Sequence, residues 1–404
     1  MTQSPPRADR WSTVRLAYLF EPRTETDRSD LDVLSVYRDF GVILKSSRDD
    51  NFNRTPADLS RYQVVHPGDL VVNRMKAWQG SLGVSAYHGL VSPDYEVLRP
   101  TAPGLDPRFV HHLLRSRRMI SEYAVRSTGI RPSQWRLYWA QMRMITVPIP
   151  DLPEQKAIAD FIDRETARID TLIEEQQRLI DLLRERRQSV LSGASDIAGR
   201  TARLGLVLNG IKDGTHGTFV RTAPGEGRPL LGARNVTDGC IVLDGQESFI
   251  SDVDADAITS NGYPTRGDVA LVIVGATIGK TALYEADVSH AFQRSVAFLR
   301  PAAELDPRFL WYQIQSDRFQ DELSLRSKTS AQPGIYLSDV SAIPVVVPSL
   351  DEQHRIVAYL DEQTSKIDTL IAETERFIEL ARERRSAVIT AAVTAQIDVR
   401  AEVA

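Results

Sequence analysis

Two long stretches of the chain carry apolar residues at the spacing of an α-helix. Stepping alternately by four and three residues gives two stripes of a coiled-coil type, each interrupted by polar residues. Neither stripe would be stable alone in water, so each predicted helix needs a partner helix. The first stripe comprises Ile158, Ile162, Glu165, Ile169, Leu172, Gln176, Leu179, Leu183, Arg186 and Val190, and the second Ile356, Leu360, Gln363, Ile367, Leu370, Thr374, Phe377, Ala381, Arg384 and Val388.

The two stripes belong to one duplicated segment. Residues 150–194 align without a gap to 348–392, and about half of the aligned positions are identical, which favours duplication over coincidence. Asp151 and Ser349 supply a polar cap at the start of each helix. The first helix would span on the order of 57 Å. The second helix can pair with it economically only by running back, so we predict an antiparallel pair.

A globular block precedes each long helix, and the two blocks repeat weakly in the same order. Both contain the sequence Leu-Asp-Pro-Arg-Phe, at Leu105 and Leu305, followed by a segment with helical spacing. Short β-branched runs between Gly, Pro and Asn predict strands. These runs are Val64–Val65, Leu70–Val72, Val97–Leu98, Ile145–Ile149, Ile241–Leu243, Val269–Val274, Val296–Leu299 and Ile343–Val347.

The predicted fold is therefore α+β. Two globular blocks alternate with two long antiparallel coiled-coil helices, and the duplication predicts pseudo-two-fold symmetry. The predicted domains are block one at 1–150, a central helix at 151–200, block two at 201–348 and a C-terminal helix at 349–404.

The net charge of −5 conceals a difference between regions. Residues 1–150 carry 21 basic and 15 acidic side chains, a net charge of +6, whereas the other three regions carry −3, −4 and −4. Between Pro107 and Arg143 the only acidic residue is Glu122, which predicts a surface that faces phosphates. The arginines of this stretch are Arg108, Arg115, Arg117, Arg118, Arg126, Arg131, Arg136 and Arg143.

The cysteine and histidine content limits which disulfides and metal sites the chain can form. Cys240 is the only cysteine, which excludes disulfide frameworks and thiolate metal clusters. The longest apolar run is far too short to cross a bilayer, so we expect a cytoplasmic protein. His111 and His112 are adjacent on a predicted helix and point in different directions, and His216 lies in a loop, so no metal site is expected.

Several motifs, taken as a set, carry a resemblance to a known family. Both long helices begin with Pro-x-Leu-x-Glu-Gln and continue to Ile-Asp-x-Leu-Ile; block one contains NRMKAWQGSLG, VSPDYEVLRP and STGIRPSQW, and block two contains KDGTH and VGATIGKTAL. Over essentially its whole length the chain resembles the specificity subunit of type I DNA restriction-modification systems. In that family a target-recognition domain alternates twice with a helical spacer, which matches the four regions above.

The resemblance implies a DNA-binding subunit without catalysis of its own. It would recognise a split duplex sequence and position two modification (methyltransferase) subunits and, in a larger complex, restriction subunits. No cofactor is expected in this chain, whereas S-adenosylmethionine, ATP and Mg²⁺ are expected in the partner subunits. The sequence contains no Asn-Pro-Pro-Tyr/Phe methylation motif and no His-Glu-x-x-His motif. The alternative is a coiled-coil scaffold without DNA affinity.

Base edges are recognised by Arg, Lys, Asn, Gln, Ser and Thr side chains, which suggests DNA-contacting residues in the loops. Trp78 and Trp135 are predicted either to pack on sugar or bases or to lie in the core, and a plain tight turn is the alternative for the glycine loops. In block one the candidates are Asn73, Arg74, Lys76, Gln79, Ser81, Arg131, Ser133 and Gln134. In block two they are Lys212, Asp213, Thr215, His216, Thr277, Lys280, Lys328, Thr329, Ser330 and Gln332, with Arg234, Asn235 and Arg294 as weaker choices.

Each long helix also carries the sequence Arg-Glu-Arg-Arg. We predict that its arginines dock helical elements of the modification subunits; a solvated face with ion pairs along the helix is the equal alternative. These residues are Arg184, Arg186, Arg187, Arg382, Arg384 and Arg385.

Overall fold

The computed structural model describes residues 11–48, 55–131, 134–193, 197–237, 239–328 and 333–399. The chain divides into two compact units. Unit 1 comprises Met1–Glu175 with Phe377–Ala404, and unit 2 comprises Gln176–Arg376. Each unit therefore contains one globular block and part of both long helices.

Unit 1 is built on a four-stranded antiparallel sheet with the order β2-β9-β6-β7. Two-stranded ladders join β1 to β10, β3 to β4 and β5 to β8. The strands are β1 Ser12–Arg15, β2 Phe20–Pro22, β3 Leu34–Tyr37, β4 Gly41–Leu44, β5 Gln63–Val65, β6 Leu70–Asn73, β7 Leu82–Val84, β8 Gly89–Val91, β9 Tyr95–Pro100 and β10 Thr146–Ile149. The helices are α1 Pro107–Leu114, α2 Arg117–Arg126, α3 Trp139–Met142 and α4 Leu152–Ser192, of which α4 continues into unit 2.

Unit 2 repeats this plan, because its four-stranded antiparallel sheet has the corresponding order β12-β20-β17-β18 and β11 pairs with β21. It adds a sheet of order β16-β13-β19 and a β14-β15 pair. The strands are β11 Arg200–Arg203, β12 Leu208–Asp213, β13 Arg228–Leu231, β14 Val236–Thr237, β15 Cys240–Ile241, β16 Ser248–Ile250, β17 Val269–Val272, β18 Thr281–Leu283, β19 Ala291–Phe292, β20 Val296–Pro301 and β21 Pro344–Val347. The helices are α5 Asp252–Thr259, α6 Pro307–Gln315, α7 Asp317–Arg326, α8 Leu337–Ser341 and α9 Leu350–Val393.

The predicted antiparallel pairing of the long helices is confirmed within each unit. In unit 1, Ile158 and Ile162 near the start of α4 share a core with Ala392 and Val393 at the end of α9. In unit 2, the end of α4 packs on the first half of α9, where Val190 and Leu191 meet Leu360 and Ile367. The α+β class and the coiled-coil helices are therefore as the sequence predicted.

The start of each long helix is also as predicted. The Asp151 carboxylate accepts a hydrogen bond from the Glu154 amide at 2.9 Å, and the Ser349 hydroxyl accepts one from the Glu352 amide at 3.4 Å. Each cap satisfies one amide that has no partner in the first turn. None of the helices in the described part of the chain is long and apolar enough to cross a membrane.

The predicted apolar stripe is wrong by one residue at every second position of each helix, and its other positions are buried or partly buried as predicted. Leu172 and Leu179 are 38% and 40% exposed, whereas Ile180 is 1% exposed. The buried positions run 158, 162, 166, 169, so the helix takes two consecutive steps of four. In the second copy, Leu370 and Phe377 are likewise exposed and Ile378 is buried.

Thr166 and Thr364 explain the error. Both are buried in the helix pairing face, one residue after Glu165 and Gln363, which the strict alternation of steps had placed there. Their hydroxyls donate to carbonyls of the preceding turn, Thr166 to Ile162 at 2.8 Å and Thr364 to Leu360 at 2.7 Å. A threonine whose hydroxyl is satisfied by its own helix can be buried cheaply, and the additional step of four matches the 3.6-residue period of a straight helix.

A buried glutamine fixes each long helix to the block before it. The Gln155 side chain accepts from the Asp106 amide at 2.9 Å and donates to the Gly104 and Pro150 carbonyls at 3.1 and 2.9 Å. Gln353 makes the same three contacts, with the Asp306 amide and the Glu304 and Pro348 carbonyls, at 2.7, 2.9 and 3.0 Å. These contacts give the repeated Glu-Gln of the helix-start motif a structural role.

Candidate functional site

In unit 1 the loop between β6 and β7 lies beside a concavity of about 750 Å³. Asn73 ends β6, its side-chain oxygen accepts a hydrogen bond from the Met75 amide at 3.1 Å, and a single helical turn, Ala77–Gln79, follows. Four of the five candidates from this loop line the concavity: Asn73, Lys76, Gln79 and Ser81. Lys76 and Gln79 are exposed, whereas Ser81 is only 4% exposed.

Arg74, the fifth candidate, does not line that concavity. Its guanidinium donates to the Asp94 carbonyl at 2.9 Å and to the Pro93 carbonyl, and lies 3.9 Å from the Glu96 carboxylate. Burial raises the pKa of Glu96, and the Arg74 charge opposes that rise. These contacts give Arg74 a structural role in holding the loop against the start of β9. A contact with DNA stays a prediction for it and for the other candidates.

The second candidate loop of unit 1, between α2 and α3, meets the first. Thr128 and Arg136 exchange two backbone hydrogen bonds at its base, and the Leu137 amide donates to the Arg74 carbonyl at 2.9 Å. The rings of Trp78 and Trp135 contact edge to face at 5.5 Å between centroids. Arg131 and Gln134 are exposed in this loop, and Ser133 lies outside the described residues.

Several residues around this concavity were missed in the sequence. Tyr37 and Lys45 reach it from the β3–β4 hairpin region, and Tyr62 and Tyr95 line it as well. Their positions are distant in sequence from the glycine loop, and only the pairing of strands brings them there. Ile130 is 95% exposed beside Arg131, a signal that a pattern search for polar loop residues could not detect.

The arginine-rich stretch is not uniformly available to phosphates, which corrects the prediction made from charge. Arg108 pairs with Asp163 of α4 at 2.8 Å, and Arg126 pairs with Glu122 one turn earlier. The largely buried Arg115 donates to the Arg38 carbonyl and contacts His111. The exposed members of the stretch are Arg108, which is paired, and Arg117, Arg118, Arg131 and Arg143.

His111 and His112 are both largely buried in unit 1. Nε2 of His111 lies 2.7 Å from the Arg115 guanidinium and accepts its hydrogen bond. Burial, with the Arg115 charge as the next cause, lowers the pKa of His111 to about 3 and that of His112 to about 4. Both imidazoles are therefore neutral at pH 7. Among the described residues no group of three or more His, Cys, Asp or Glu side chains is arranged to hold a metal ion.

In unit 2 the end of β12 and the loop that follows it contain four candidates. Lys212, Asp213, Thr215 and His216 line one concavity of about 400 Å³, and Asp213 and His216 also line a second of about 370 Å³. Arg294, a weaker choice from the sequence, lies on the second concavity. The structure thus brings this opening loop together with residues some 80 positions further along the chain.

The glycine turn of unit 2 lies between β17 and β18 and carries Thr277 and Lys280, both exposed. The amide of Gly275 in this turn donates a hydrogen bond to the Pro333 carbonyl at 3.0 Å, which joins the turn to the loop between α7 and α8. Thr277 and Lys280 do not line either of the two concavities described above. Whether they contact DNA stays a prediction.

The α7–α8 loop contributes Lys328 to the second concavity, where its ammonium lies 4.2 Å from the centre of the Tyr336 ring. Thr329, Ser330 and Gln332 lie outside the described residues. Among the weaker choices, Asn235 is buried and holds the Val242 carbonyl at 2.9 Å, and Arg234 pairs with Asp244 at 2.5 Å. These two residues stabilise their own loop.

The arginines of the two Arg-Glu-Arg-Arg sequences fall into two groups. Arg187 pairs with Asp368 in unit 2, and Arg385 pairs with Asp170 in unit 1, each at 2.8 Å between the two long helices. Arg184 reaches Glu375 at 3.3 Å. The exposed members that face solvent are Arg186, Arg382 and Arg384. Docking stays a prediction, and ion pairs between helices were not among the expected alternatives.

Comparison with known proteins identifies relatives of the chain. Residues 248–379 match the family model of the type I restriction modification DNA specificity domain. The chain is 25% identical over 256 residues to the type I restriction enzyme EcoBI specificity subunit of Escherichia coli. That alignment covers 55% of this chain and 52% of the relative, so the chain spans about half the length of this curated relative.

Two solved structures share the fold. A chain solved in work on complex assembly and conformational transition of the type I restriction-modification system superposes with a TM-score of 0.72 at 18% identity, covering 97% of this chain and 99% of that one. The HsdS subunit from Thermoanaerobacter tengcongensis superposes with a TM-score of 0.56 at 19% identity, covering 98% and 99%. These two structures confirm the fold. The family model and the curated relative show that the chain is similar to specificity subunits of type I restriction-modification systems.

Proposed function

We propose that the chain binds an interrupted DNA sequence, one half with each unit, and positions methyltransferase subunits and, in a larger complex, restriction subunits. The observation that carries this proposal is a repeated pair of joined loops. In unit 1 the Leu137 amide bonds to the Arg74 carbonyl, and in unit 2 the Gly275 amide bonds to the Pro333 carbonyl. Each pair presents polar side chains beside a four-stranded sheet of the same strand order.

In unit 1 the chemistry suits a major groove. The Gln79 amide can form a paired hydrogen bond with adenine, and Lys76 can donate to guanine. Arg117, Arg118 and Arg143 are exposed and would anchor phosphates without reading sequence. Such contacts release counterions, so the affinity of this unit would fall steeply with salt.

Unit 2 belongs to the more acidic part of the chain, and its affinity would depend on local cations. Lys212 lies on the first concavity, and Arg294 and Lys328 lie on the second. These three side chains would bring a phosphate backbone to the loop that follows β12. The remaining affinity would come from the partner subunits, which hold the same duplex.

The long helices carry a repeated apolar surface that fits partner docking. Leu179 and Leu182 are exposed on α4 in unit 2, and Phe377 and Leu380 are exposed at the equivalent positions of α9 in unit 1. Residues three apart lie on one face of a helix. Two equivalent apolar surfaces suit two copies of one partner, and an amphipathic helix of each methyltransferase subunit would cover them.

The docking surface is tested by polar substitution. Changing Leu179 and Leu182 to Ser should reduce capture of the methyltransferase subunit in pull-down, and changing Phe377 and Leu380 should remove the second copy. Val253, an exposed residue of α5, provides a matched Val→Ser control. Equal capture by all variants would show that the helices dock no partner through these residues.

The catalytic parts of the system would then belong to the partners. We place S-adenosylmethionine with base flipping in the methyltransferase subunits, and ATP with Mg²⁺ in the restriction subunits. The chain itself would hold no cofactor and would act in the cytoplasm, where its DNA target is. The two long helices would fix the number of base pairs between the half-sites.

Genome-wide mapping of methylated bases tests the proposed function. A host with the gene should show methylation at one interrupted motif, and a deletion strain should lose it. Full methylation of that motif without the gene would contradict the proposal. A chain that joins its partners while no duplex binds to the complex would favour the scaffold alternative.

A further inference from the structure

An acidic side chain occupies the part of unit 2 where cations would be expected. Asp213 ends β12, and its carboxylate oxygen Oδ2 lies 2.6 Å from Nε2 of His216. The side chains are 23% and 64% exposed, so the pair is open to a ligand. No described residue hydrogen-bonds to the second oxygen, Oδ1. A donor from outside the chain can therefore reach it.

The backbone around this pair is held firmly. The Gly214 amide donates to the Val296 carbonyl at 3.0 Å, and the Thr215 amide donates to the Phe292 carbonyl at 2.7 Å. A Cβ atom on Gly214 would lie 2.3 Å from that Phe292 oxygen, so only glycine permits this close approach. A carboxylate on such a support has a defined direction before any ligand binds.

The charge of Asp213 is opposite to that of the cations around it, which indicates what kind of ligand atom it could contact. Asp213 and His216 line both concavities, with Lys212 on one and Arg294 and Lys328 on the other. Phosphates drawn in by these cations would be repelled by a carboxylate at the same place. At a DNA contact the carboxylate becomes favourable when a base donates a hydrogen bond to it. In the major groove the donors are the amino groups of cytosine and adenine.

We propose that Asp213 is a specificity-determining residue that accepts a hydrogen bond from the exocyclic amino group of one cytosine or adenine. His216 is a positioning residue, because it holds the other carboxylate oxygen. Guanine O6 and thymine O4 are acceptors and are rejected by the carboxylate. The inference rests on the proposed function, since it requires unit 2 to bind duplex DNA.

The test uses the assembled methyltransferase complex in its host. In Asp213→Ala the motif should accept additional bases at one position of one half-site, while the other half-site and the spacing stay unchanged. Asp213→Asn should shift the preference at the same position, because an amide both donates and accepts. Discrimination at that position should fall by a factor on the order of ten to a hundred.

His216→Gln separates positioning from direct reading. It should keep the preferred base while lowering the fraction of sites that are methylated. Glu304→Gln is the matched control, an acid-to-amide change in an exposed ion pair with Arg200. That variant should keep the wild-type motif and methylation level.

The outcomes separate the two proposals. A wild-type complex that methylates no interrupted motif would contradict the proposed function itself. A wild-type motif that stays unchanged, base for base, in both Asp213 variants would overturn only the role of Asp213. If a variant abolishes methylation, duplexes substituted at single positions are compared for binding to the purified complex. An equal loss of affinity for every duplex would also overturn the role of Asp213. A loss confined to duplexes with cytosine or adenine at one position would support that role.

Discussion

The buried glutamines offer a direct test of how each long helix is held to its block. In Gln155→Met the side chain keeps its size, but the Asp106 amide and the Gly104 and Pro150 carbonyls lose their partners. A buried hydrogen bond contributes about 1 kcal/mol, so three lost bonds should lower the free energy of unfolding by about 3 kcal/mol. Gln353→Met should cost a similar amount in unit 2, since its three contacts are the same in kind.

The assay is chemical unfolding followed by far-ultraviolet circular dichroism, with each variant measured beside the wild type. Gln177→Met is the matched control, because Gln177 is exposed on the same helix. It should change stability by less than about 0.5 kcal/mol. If Gln155→Met costs no more than this control, the three hydrogen bonds do not anchor the helix, and the reasoning from contact geometry is wrong.

Three further predictions follow from contacts in unit 1 and from the helices. The pKa of His111 is about 3 and that of His112 about 4, both below the unfolded value of 6.5. The contribution of the two neutral imidazoles to the free energy of unfolding is therefore fully present above pH 6.5 and is lost as the pH falls toward their folded pKa values. Unfolding at pH 7 and pH 5 should differ by about 2 kcal/mol for each histidine, and His111→Gln should remove about half of that difference. A double-mutant cycle on Arg385 and Asp170 should give a coupling of about 0.5 to 1 kcal/mol, with partial recovery when the charges are exchanged; zero coupling would make the pair incidental. One heptad inserted in both helices should lengthen the gap in the methylated motif by about 10 Å, roughly three base pairs, and an unchanged gap would contradict the ruler.

The sequence predicted the helices well and their pairing faces less well. Duplication and apolar spacing located both helices and their caps, because those signals are local. The buried face depends on how each residue satisfies its polar atoms. The alternation of steps placed Glu165 in the stripe, yet the Thr166 hydroxyl bonds to Ile162 and Thr166 is the buried residue. Hydrophobicity alone does not contain that information.

For the candidate site, the sequence likewise predicted the local features but not the contacts that depend on the tertiary fold. Glycine and polar residues marked the loops, and the structure joins two of them in each unit. Four of the predicted loop residues line the concavity of unit 1, whereas its lining residues from other strands could not be predicted, since their position depends on strand pairing. Arg74 is drawn to the start of β9 by the Asp94 carbonyl, while Tyr37 arrives from a hairpin earlier in the chain.

The duplication provides an internal control that separates scaffold from recognition. Contacts that stabilise each unit internally recur at equivalent positions, such as Gln155 with Gln353 and the pair Arg385–Asp170 with Arg187–Asp368. The polar side chains of the loops do not recur: Asp213 and its histidine partner have no counterpart among the candidates of unit 1. Because base readout depends on these side chains, two different sets should select two different sequences. We therefore expect the two halves of the DNA target to differ, and a palindromic methylated motif would contradict this reasoning.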